Sequence, residues 1–262
     1  MSNLAFEDHG AGEPVLFIAG SGGRGRTWHV HQVPAFTAAG YRVVTFDNRG
    51  VGATENADGF TIETMVADTA GLIERLDLAP TNIVAVSMGA YIAQELMLAR
   101  PGLVKRAALI ATRGRHDRTR ELVRRAEKEL SDAGVQLPPA YQAKVRLLEN
   151  FSPSTLNDDR AVADWIALFT MWPVKHARGV DCQRDIAPNG SRLPAYRSIT
   201  VPVLVIGFSD DLMVPPHLAR EVADAIPGGR YLEVHDAGHL GFLERPDPVN
   251  AAILQFFAGP SL

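Results

Sequence analysis

The chain has 262 residues, of which 46% are hydrophobic and 21% are charged. These proportions are typical of soluble globular proteins and exclude a disordered or fibrous chain. The formal net charge of −4 offers no basic field for binding a nucleic-acid backbone. Cys182 is the only cysteine, so the chain can form neither an internal disulfide nor a multi-cysteine zinc site.

The N-terminal segment Met1–Asp8 has neither the cationic nor the apolar part of a signal peptide. No uninterrupted apolar run approaches the roughly 20 residues of a membrane-spanning helix. We therefore expect a cytoplasmic protein that acts on a small molecule and has no membrane or nucleic-acid partner.

Six short apolar runs predict the strands of a parallel sheet. They are Pro14–Gly20, Arg42–Asp47, Asn82–Val86, Arg106–Ala111, Val203–Gly207 and Arg230–Val234. Because apolar residues in these runs are largely continuous rather than alternating, both faces of the strands are expected to be covered. Leu4–Asp8 is available for an additional edge strand.

Helical patterns fall between these runs. One begins after Thr61, a candidate N-cap, and a second covers Met88–Arg100. A third is opened by Pro215-Pro216 and runs to about Ala225, and the last is opened by Pro248 and runs to about Phe257. The alternation predicts a doubly wound α/β sheet with right-handed crossovers. Catalytic residues are then expected on loops at the carboxyl ends of strands.

Residues 113–199 interrupt this alternation, because they contain no convincing buried strand. Amphipathic helical stretches occupy roughly 117–133, 139–150 and 158–171 instead. A structureless loop of this length would be unusual. We predict a helical cap at 113–199, inserted between two strands of a core made of residues 1–112 and 200–262.

The pentapeptide Ala85-Val86-Ser87-Met88-Gly89 lies at a predicted strand-to-helix junction. Small residues two positions before and two positions after the serine, Ala85 and Gly89, allow a sharp turn that raises its hydroxyl above the sheet. Ser87 could serve as a nucleophile, or it could simply cap the following helix.

Two later loops supply the partners that a nucleophilic serine needs. Gly207–Pro215 follows one predicted strand and contains Asp210 and Asp211, and Asp236–His239 follows the next. Acyl transfer requires a nucleophile, a base that takes its proton and a carboxylate that holds the base in the right tautomer.

Three further segments complete a pattern. They are Ile18–Gly23 after the first strand, the turn Asp47–Gly52, and Gly238–Pro246 around the histidine. With the serine pentapeptide, they make the chain resemble the α/β-hydrolase superfamily over nearly its whole length, and least in the cap. The resemblance implies that Ser87 is the nucleophile and His239 the general base.

The same resemblance bears on the catalytic acid. In the superfamily this residue usually lies four positions before a proline, which favours Asp211, four positions before Pro215. Asp210 is the alternative, and Asp117, after an earlier strand, is a more remote one.

The resemblance also implies an oxyanion hole made by the backbone amides of Ser21 and Met88. Gly20 and the cap aromatics Trp165, Phe169 and Trp172 are candidate substrate contacts, although cap aromatics often serve only in packing. Ala19 and Ala85 replace the histidine and the first glycine usual in these motifs. Both alanines are small enough to be tolerated.

The remaining histidines and a run of arginines allow simpler interpretations. His9 has no metal-binding partner at a suitable sequence spacing and no H-E-x-x-H pattern occurs, so we predict neither a metal nor a cofactor. Arginines crowd the start of the cap and could attract a carboxylate-bearing substrate or form a solvated helix face. They are Arg113, Arg115, Arg118, Arg120, Arg124 and Arg125.

The sequence thus favours a cofactor-free serine hydrolase that cleaves an ester, thioester or lactone of a small apolar substrate. A C–C bond hydrolase, a perhydrolase and an acyl-transfer or cyclising enzyme of secondary metabolism would use the same three residues. A non-catalytic ligand binder is the remaining alternative. The substrate and the oligomeric state stay open at this point, because the fold does not fix them.

Overall fold

A computed structural model describes residues 4–54, 59–171, 178–186 and 190–259, which contain one seven-stranded sheet. Each of the six predicted runs forms a strand, and the N-terminal segment adds an edge strand. The strands are β1 (Phe6–His9), β2 (Glu13–Ile18), β3 (Tyr41–Phe46), β4 (Thr81–Val86), β5 (Val104–Ile110), β6 (Val203–Phe208) and β7 (Arg230–Val234).

The strand order is β1-β3-β2-β4-β5-β6-β7. Only β1 is antiparallel to its neighbour, with Phe6 opposite Phe46, and the other adjacent strands of the described sheet are parallel. This arrangement confirms the predicted mostly parallel, doubly wound sheet. It also brings the carboxyl ends of β4, β5 and β6 together at one edge.

Helices cover both faces of the sheet. Those of the core are α1 (Gln32–Ala38), α2 (Ile62–Arg75), α3 (Met88–Ala99), α10 (Pro216–Ala225), α11 (Gly241–Glu244) and α12 (Pro246–Ala258). Thr61 caps α2 as predicted, since its side chain accepts a hydrogen bond from the amide of Thr64. The last helix begins two residues earlier than Pro248, because prolines are tolerated in a first turn whose amides have no helical acceptor.

Six helices lie between β5 and β6 in the described part of the chain. They are α4 (Arg118–Asp132), α5 (Pro139–Asn150), α6 (Pro153–Leu156), α7 (Asp159–Met171), α8 (Arg178–Asp185) and α9 (Leu193–Tyr196). The interval is therefore a helical insertion between two core strands. The three predicted amphipathic stretches correspond to α4, α5 and α7.

Two large apolar clusters hold the core together, one on each face of the sheet. Along β2, Leu16 and Ile18 contribute to one cluster, whereas Val15 and Phe17 contribute to the other. This division follows from the two-residue period of a strand, and it explains why the strand is apolar throughout. A third, smaller cluster lies within the helical insertion. Among the described helices, none is both long and apolar enough to cross a membrane.

Candidate active site

Ser87 occupies the sharp turn between β4 and α3, with φ 55° and ψ −116°. A non-glycine residue rarely adopts this left-handed conformation, and it is found where the surrounding structure enforces it. Gly89 makes the turn possible, because a Cβ atom there would lie 2.3 Å from the carbonyl oxygen of Ile18. The Ser87 side chain makes no capping hydrogen bond to α3, so the simple helix-cap interpretation is wrong.

His239 and Asp211 complete a hydrogen-bonded line with Ser87. The distance from His239 Nε2 to Ser87 Oγ is 3.2 Å, and His239 Nδ1 lies 2.8 Å from Asp211 Oδ2. His239 is 9% exposed and Asp211 is 3% exposed, so water is largely excluded from both. The three side chains come from the loops after β4, β6 and β7, where the carboxyl ends of the strands meet.

Backbone amides orient the Asp211 carboxylate. Its Oδ1 accepts hydrogen bonds from the amides of Met213 at 2.8 Å and Val214 at 2.7 Å, which leaves Oδ2 for the histidine. Because a carboxylate can only accept, His239 donates from Nδ1 and its Nε2 is free to accept the proton of the Ser87 hydroxyl.

The two alternative acids lie elsewhere. The Asp210 carboxylate accepts from the hydroxyl of Ser209 at 3.2 Å. The Asp117 carboxylate caps α4 by accepting from the amide of Arg120 at 2.8 Å. Of the three aspartates considered, Asp211 alone has a described hydrogen bond to His239.

The loop after β2 lies directly against the serine. A Cβ atom on Gly20 would be 3.3 Å from Ser87 Cβ, and the amide of Gly23 donates to the carbonyl of Gly20 to close a turn. Within the described residues, the amides of Ser21 and Met88 donate to no other protein group. They are available to a ligand oxygen, as an oxyanion hole requires.

Residues that sequence analysis overlooked hold this loop in place. Gln183 of α8, 1% exposed, accepts from the amide of Gly22 at 2.7 Å and donates to the carbonyl of Arg49 at 2.7 Å. Asn48 donates to the carbonyl of Ala19 at 3.0 Å. Asn48 belongs to a motif visible in the sequence, whereas a lone glutamine in the insertion gave no signal.

Glu244 connects the histidine loop to the insertion. Its Oε2 accepts from the amide of Gly238 at 2.6 Å, and its Oε1 accepts from the amide and hydroxyl of Ser152 at 2.9 and 2.8 Å. The amide of Leu240 also donates to the carbonyl of Asn150 at 3.0 Å. His239 is therefore flanked by Leu240, which bonds to the last residue of α5, and by Gly238, which is connected through Glu244 to Ser152.

Two of the three aromatic residues predicted to contact substrate, Trp165 and Phe169, lie in the packing of the insertion. Phe169 is 4% exposed and belongs to its apolar cluster, and Trp165 packs partly buried against the same cluster. Leu240, next to His239, also contacts this cluster. Trp172 lies outside the described residues. A substrate contact by Trp165 or Phe169 remains a prediction.

Glu7, His9 and His29 form a group of potential metal ligands that their spacing in the sequence does not indicate. One potential metal-ligand atom of each lies within 4.8 Å of the others. Glu7 and His9 share one face of β1, because they are two residues apart, and His29 approaches from the 3-10 turn after β2. His9 therefore has potential ligand partners in space that the sequence spacing did not indicate, and the absence of a metal stays a prediction. Thr45 Oγ1 lies 3.2 Å from His29 Nε2.

The parallel sheet, the serine at its strand-to-helix turn and the adjoining histidine and aspartate define the α/β-hydrolase class. The chain belongs to this class: the model of the alpha/beta hydrolase family matches residues 15–252.

The chain is also similar to individual members of this family. The chain is 67% identical over 258 residues to a Mycobacterium tuberculosis protein named "Putative non-heme bromoperoxidase BpoC", covering 98% of each chain. The crystal structure of that relative superposes with a TM-score of 0.96, covering 98% of this chain and 96% of the other. An enol-lactonase from Burkholderia xenovorans is similar at 26% identity and a TM-score of 0.82, with coverage of 98% and 96%.

Proposed function

We propose that this protein is a cofactor-free serine hydrolase that cleaves an ester, thioester or lactone of a small, largely apolar substrate through an acyl-enzyme. The observation that carries the proposal is the line of hydrogen bonds from Asp211 through His239 to Ser87, with distances of 2.8 and 3.2 Å. These distances suit proton transfer from a nucleophile to a base that a buried carboxylate orients.

Ser87 Oγ would attack the substrate carbonyl while His239 Nε2 takes the hydroxyl proton. Asp211 would stabilise the resulting imidazolium, and the amides of Met88 and Ser21 would donate to the oxyanion. One such donor is worth about 10²–10³ in turnover. His239 would then protonate the leaving group, and water, activated by the same histidine, would release the acid and restore Ser87.

The similarity to BpoC favours one second candidate, perhydrolysis. Hydrogen peroxide would replace water in the attack on the acyl-enzyme, giving a peracid and free Ser87. The peracid would then oxidise bromide to hypobromous acid and be reduced to the carboxylate. C–C bond cleavage and acyl transfer to an alcohol are further outcomes on the same three residues, but no feature of the described site favours them.

Labelling with a fluorophosphonate tests the nucleophile directly. We expect the reagent to modify Ser87 in the wild type and in Ser209→Ala, a matched control in the nearby acid loop, but not to modify Ser87→Ala. Turnover of an ester should fall on the order of 10⁶-fold in Ser87→Ala if the three residues act as a unit. A folded Ser87→Ala protein with wild-type turnover would contradict the proposal. Comparing products formed in water and in hydrogen peroxide separates the two candidates.

A further inference from the structure

The arginines at the start of the insertion fall into two groups. Arg118, Arg124 and Arg125 are exposed, and Arg115 makes two hydrogen bonds to the carboxylate of Glu221. The three exposed arginines fit a solvated helix face, and the charge of Arg115 is paired by Glu221. Arg113 and Arg120 differ, because Arg120 is 7% exposed and the Nε atom of Arg113 is shielded from solvent.

These two arginines have unused hydrogen-bond donors. In the described part of the chain, the Nε atoms of Arg113 and Arg120 and the Nε2 atom of His116 are buried without a hydrogen-bond partner. The one hydrogen bond described for the Arg120 guanidinium is from Nη1 to the weak acceptor Met213 Sδ, at 3.6 Å. Buried charged donors without acceptors cost substantial free energy, so such groups normally face a counter-ion.

The position of this group places it beside the proposed catalytic centre. Arg113 follows β5, which lies between β4, leading to Ser87, and β6, leading to Asp211. Arg120 touches Met213, whose own amide donates to Asp211. The two guanidinium groups therefore lie on the Asp211 side of the site, between the carboxyl edge of the sheet and α4.

The charges around this group favour the binding of an anion. Burial, and then the charge of Arg120, lower the pKa of Arg113 to about 10, so it stays charged at neutral pH. Burial, and then Arg113 and Arg120, lower the pKa of His116 to about 4, so this imidazole is neutral. Asp211, Asp117 and Glu127 act on Arg113 through space. However, Asp211 is engaged by His239 and two amides, and Asp117 caps α4. Glu127 acts on Arg113 and Glu149 acts on Arg120 through space, but neither carboxylate has a described hydrogen bond or ion pair to either guanidinium.

We propose that Arg113 and Arg120 form a carboxylate-binding subsite, and that the substrate is an acyl compound with a free carboxylate remote from the reacting carbonyl. Guanidinium groups match a carboxylate with paired, charge-assisted hydrogen bonds. This inference rests on the serine hydrolase function proposed above. It adds an anionic end to an otherwise apolar substrate.

Two esters of equal length test the preference. The acidic one is mono-p-nitrophenyl glutarate, and the neutral one is p-nitrophenyl pentanoate. We expect the wild type to favour the acidic ester in kcat/KM by at least about tenfold, a typical effect of charge-assisted hydrogen bonds. Arg113→Met and Arg120→Met should each remove most of this preference, mainly by raising KM. Arg118→Met should keep it, because that side chain is 99% exposed on the same helix as Arg120.

Direct binding separates failure of the subsite from failure of the proposed function. Monomethyl glutarate should bind the Ser87→Ala protein in calorimetry, and adding Arg113→Met or Arg120→Met should weaken that binding, with circular dichroism confirming the fold. Binding without fluorophosphonate labelling of the wild type would preserve the subsite and overturn the hydrolase. Labelling of Ser87 with no preference for the acidic ester and no binding of monomethyl glutarate would overturn the subsite.

Discussion

Two neighbouring aspartates follow β6, and they have different surroundings. Asp211 accepts from His239 and two amides, whereas Asp210 accepts from Ser209. In Asp211→Asn, Oδ1 can still accept from the amides, but the new NH₂ group faces His239 Nδ1 and favours the wrong tautomer. We expect turnover to fall on the order of 10⁴-fold, by analogy with the serine-protease aspartate.

Asp210→Asn is the matched control. We expect turnover in this variant to fall by less than about tenfold, because the Asp210 carboxylate bonds to the Ser209 hydroxyl and not to the catalytic base. Steady-state kcat for one ester, measured in both variants, makes the comparison. If Asp210→Asn abolishes turnover while Asp211→Asn keeps it, the acid is assigned to the wrong residue.

Single residues differ in how far the sequence reveals them. The spacing of Asp211 to Pro215 and the segments around Ser87 and His239 pointed to three side chains that lie within hydrogen-bonding distance. Gln183 and the group of Glu7, His9 and His29 were not predicted, because they depend on contacts between distant elements. The sequence also could not show which arginines are buried, since this depends on how α4 sits on the sheet.

At the scale of elements, the hydrogen bonds of Glu244 couple the histidine loop to the segment between α5 and α6. In Glu244→Gln the amide retains one acceptor oxygen but presents donors where the carboxylate accepts from Gly238 or Ser152. We expect kcat to fall between about 10- and 100-fold through misplacement of His239, with KM nearly unchanged. Fluorophosphonate labelling of Ser87 should slow in parallel, because it depends on the same base.

Arg245→Gln provides the control for this coupling. Arg245 donates to the exposed hydroxyl of Ser154 at 3.0 Å and to the carbonyl of Glu244 at 2.9 Å. Its replacement therefore removes a contact between the same two regions and leaves the Glu244 carboxylate, with its bonds to Gly238 and Ser152, in place. We expect near wild-type kcat for this variant. Equal losses of kcat in both variants would show that Glu244 acts only through general packing.

Elements long enough to repeat their hydrophobic pattern could be predicted from the sequence, whereas the shortest helices could not. The predicted runs for β2 to β7 and the patterns for α2, α3, α4, α5 and α7 match observed elements, because each repeats its period several times. The helices α6 and α9 have four residues each, too few to display a helical period. Each carries a proline in its first turn, where proline is common, but a single proline does not predict a helix.

For the whole molecule, the carboxyl ends of the strands carry the candidate catalytic residues, whereas the amino end of β5 contributes to stability. The carboxyl ends of β4, β6 and β7 lead to the Ser87, Asp211 and His239 loops. Near the amino end of β5, Arg106 is 4% exposed and donates to the carbonyls of Phe257 at 2.7 Å and Gly259 at 2.6 Å. These carbonyls lie at the C-terminal end of α12, where a helix has unsatisfied acceptors and favours a cation.

Replacing Arg106 should therefore affect stability and leave the chemistry intact. Arg106→Met keeps most of the apolar side-chain volume but leaves two helix-terminal carbonyls without their charged donor, at a cost of about 3 kcal/mol. For a chain of this size, that loss should lower Tm by roughly 6–12 °C. Lys105→Met is the control, because the Lys105–Glu13 ion pair is 34% and 39% exposed and should contribute less than about 1 kcal/mol. Calorimetry gives Tm, and kcat/KM at 25 °C should match the wild type in both variants. A large loss of kcat/KM in folded Arg106→Met would show that the amino end of β5 is coupled to the catalytic edge of the sheet.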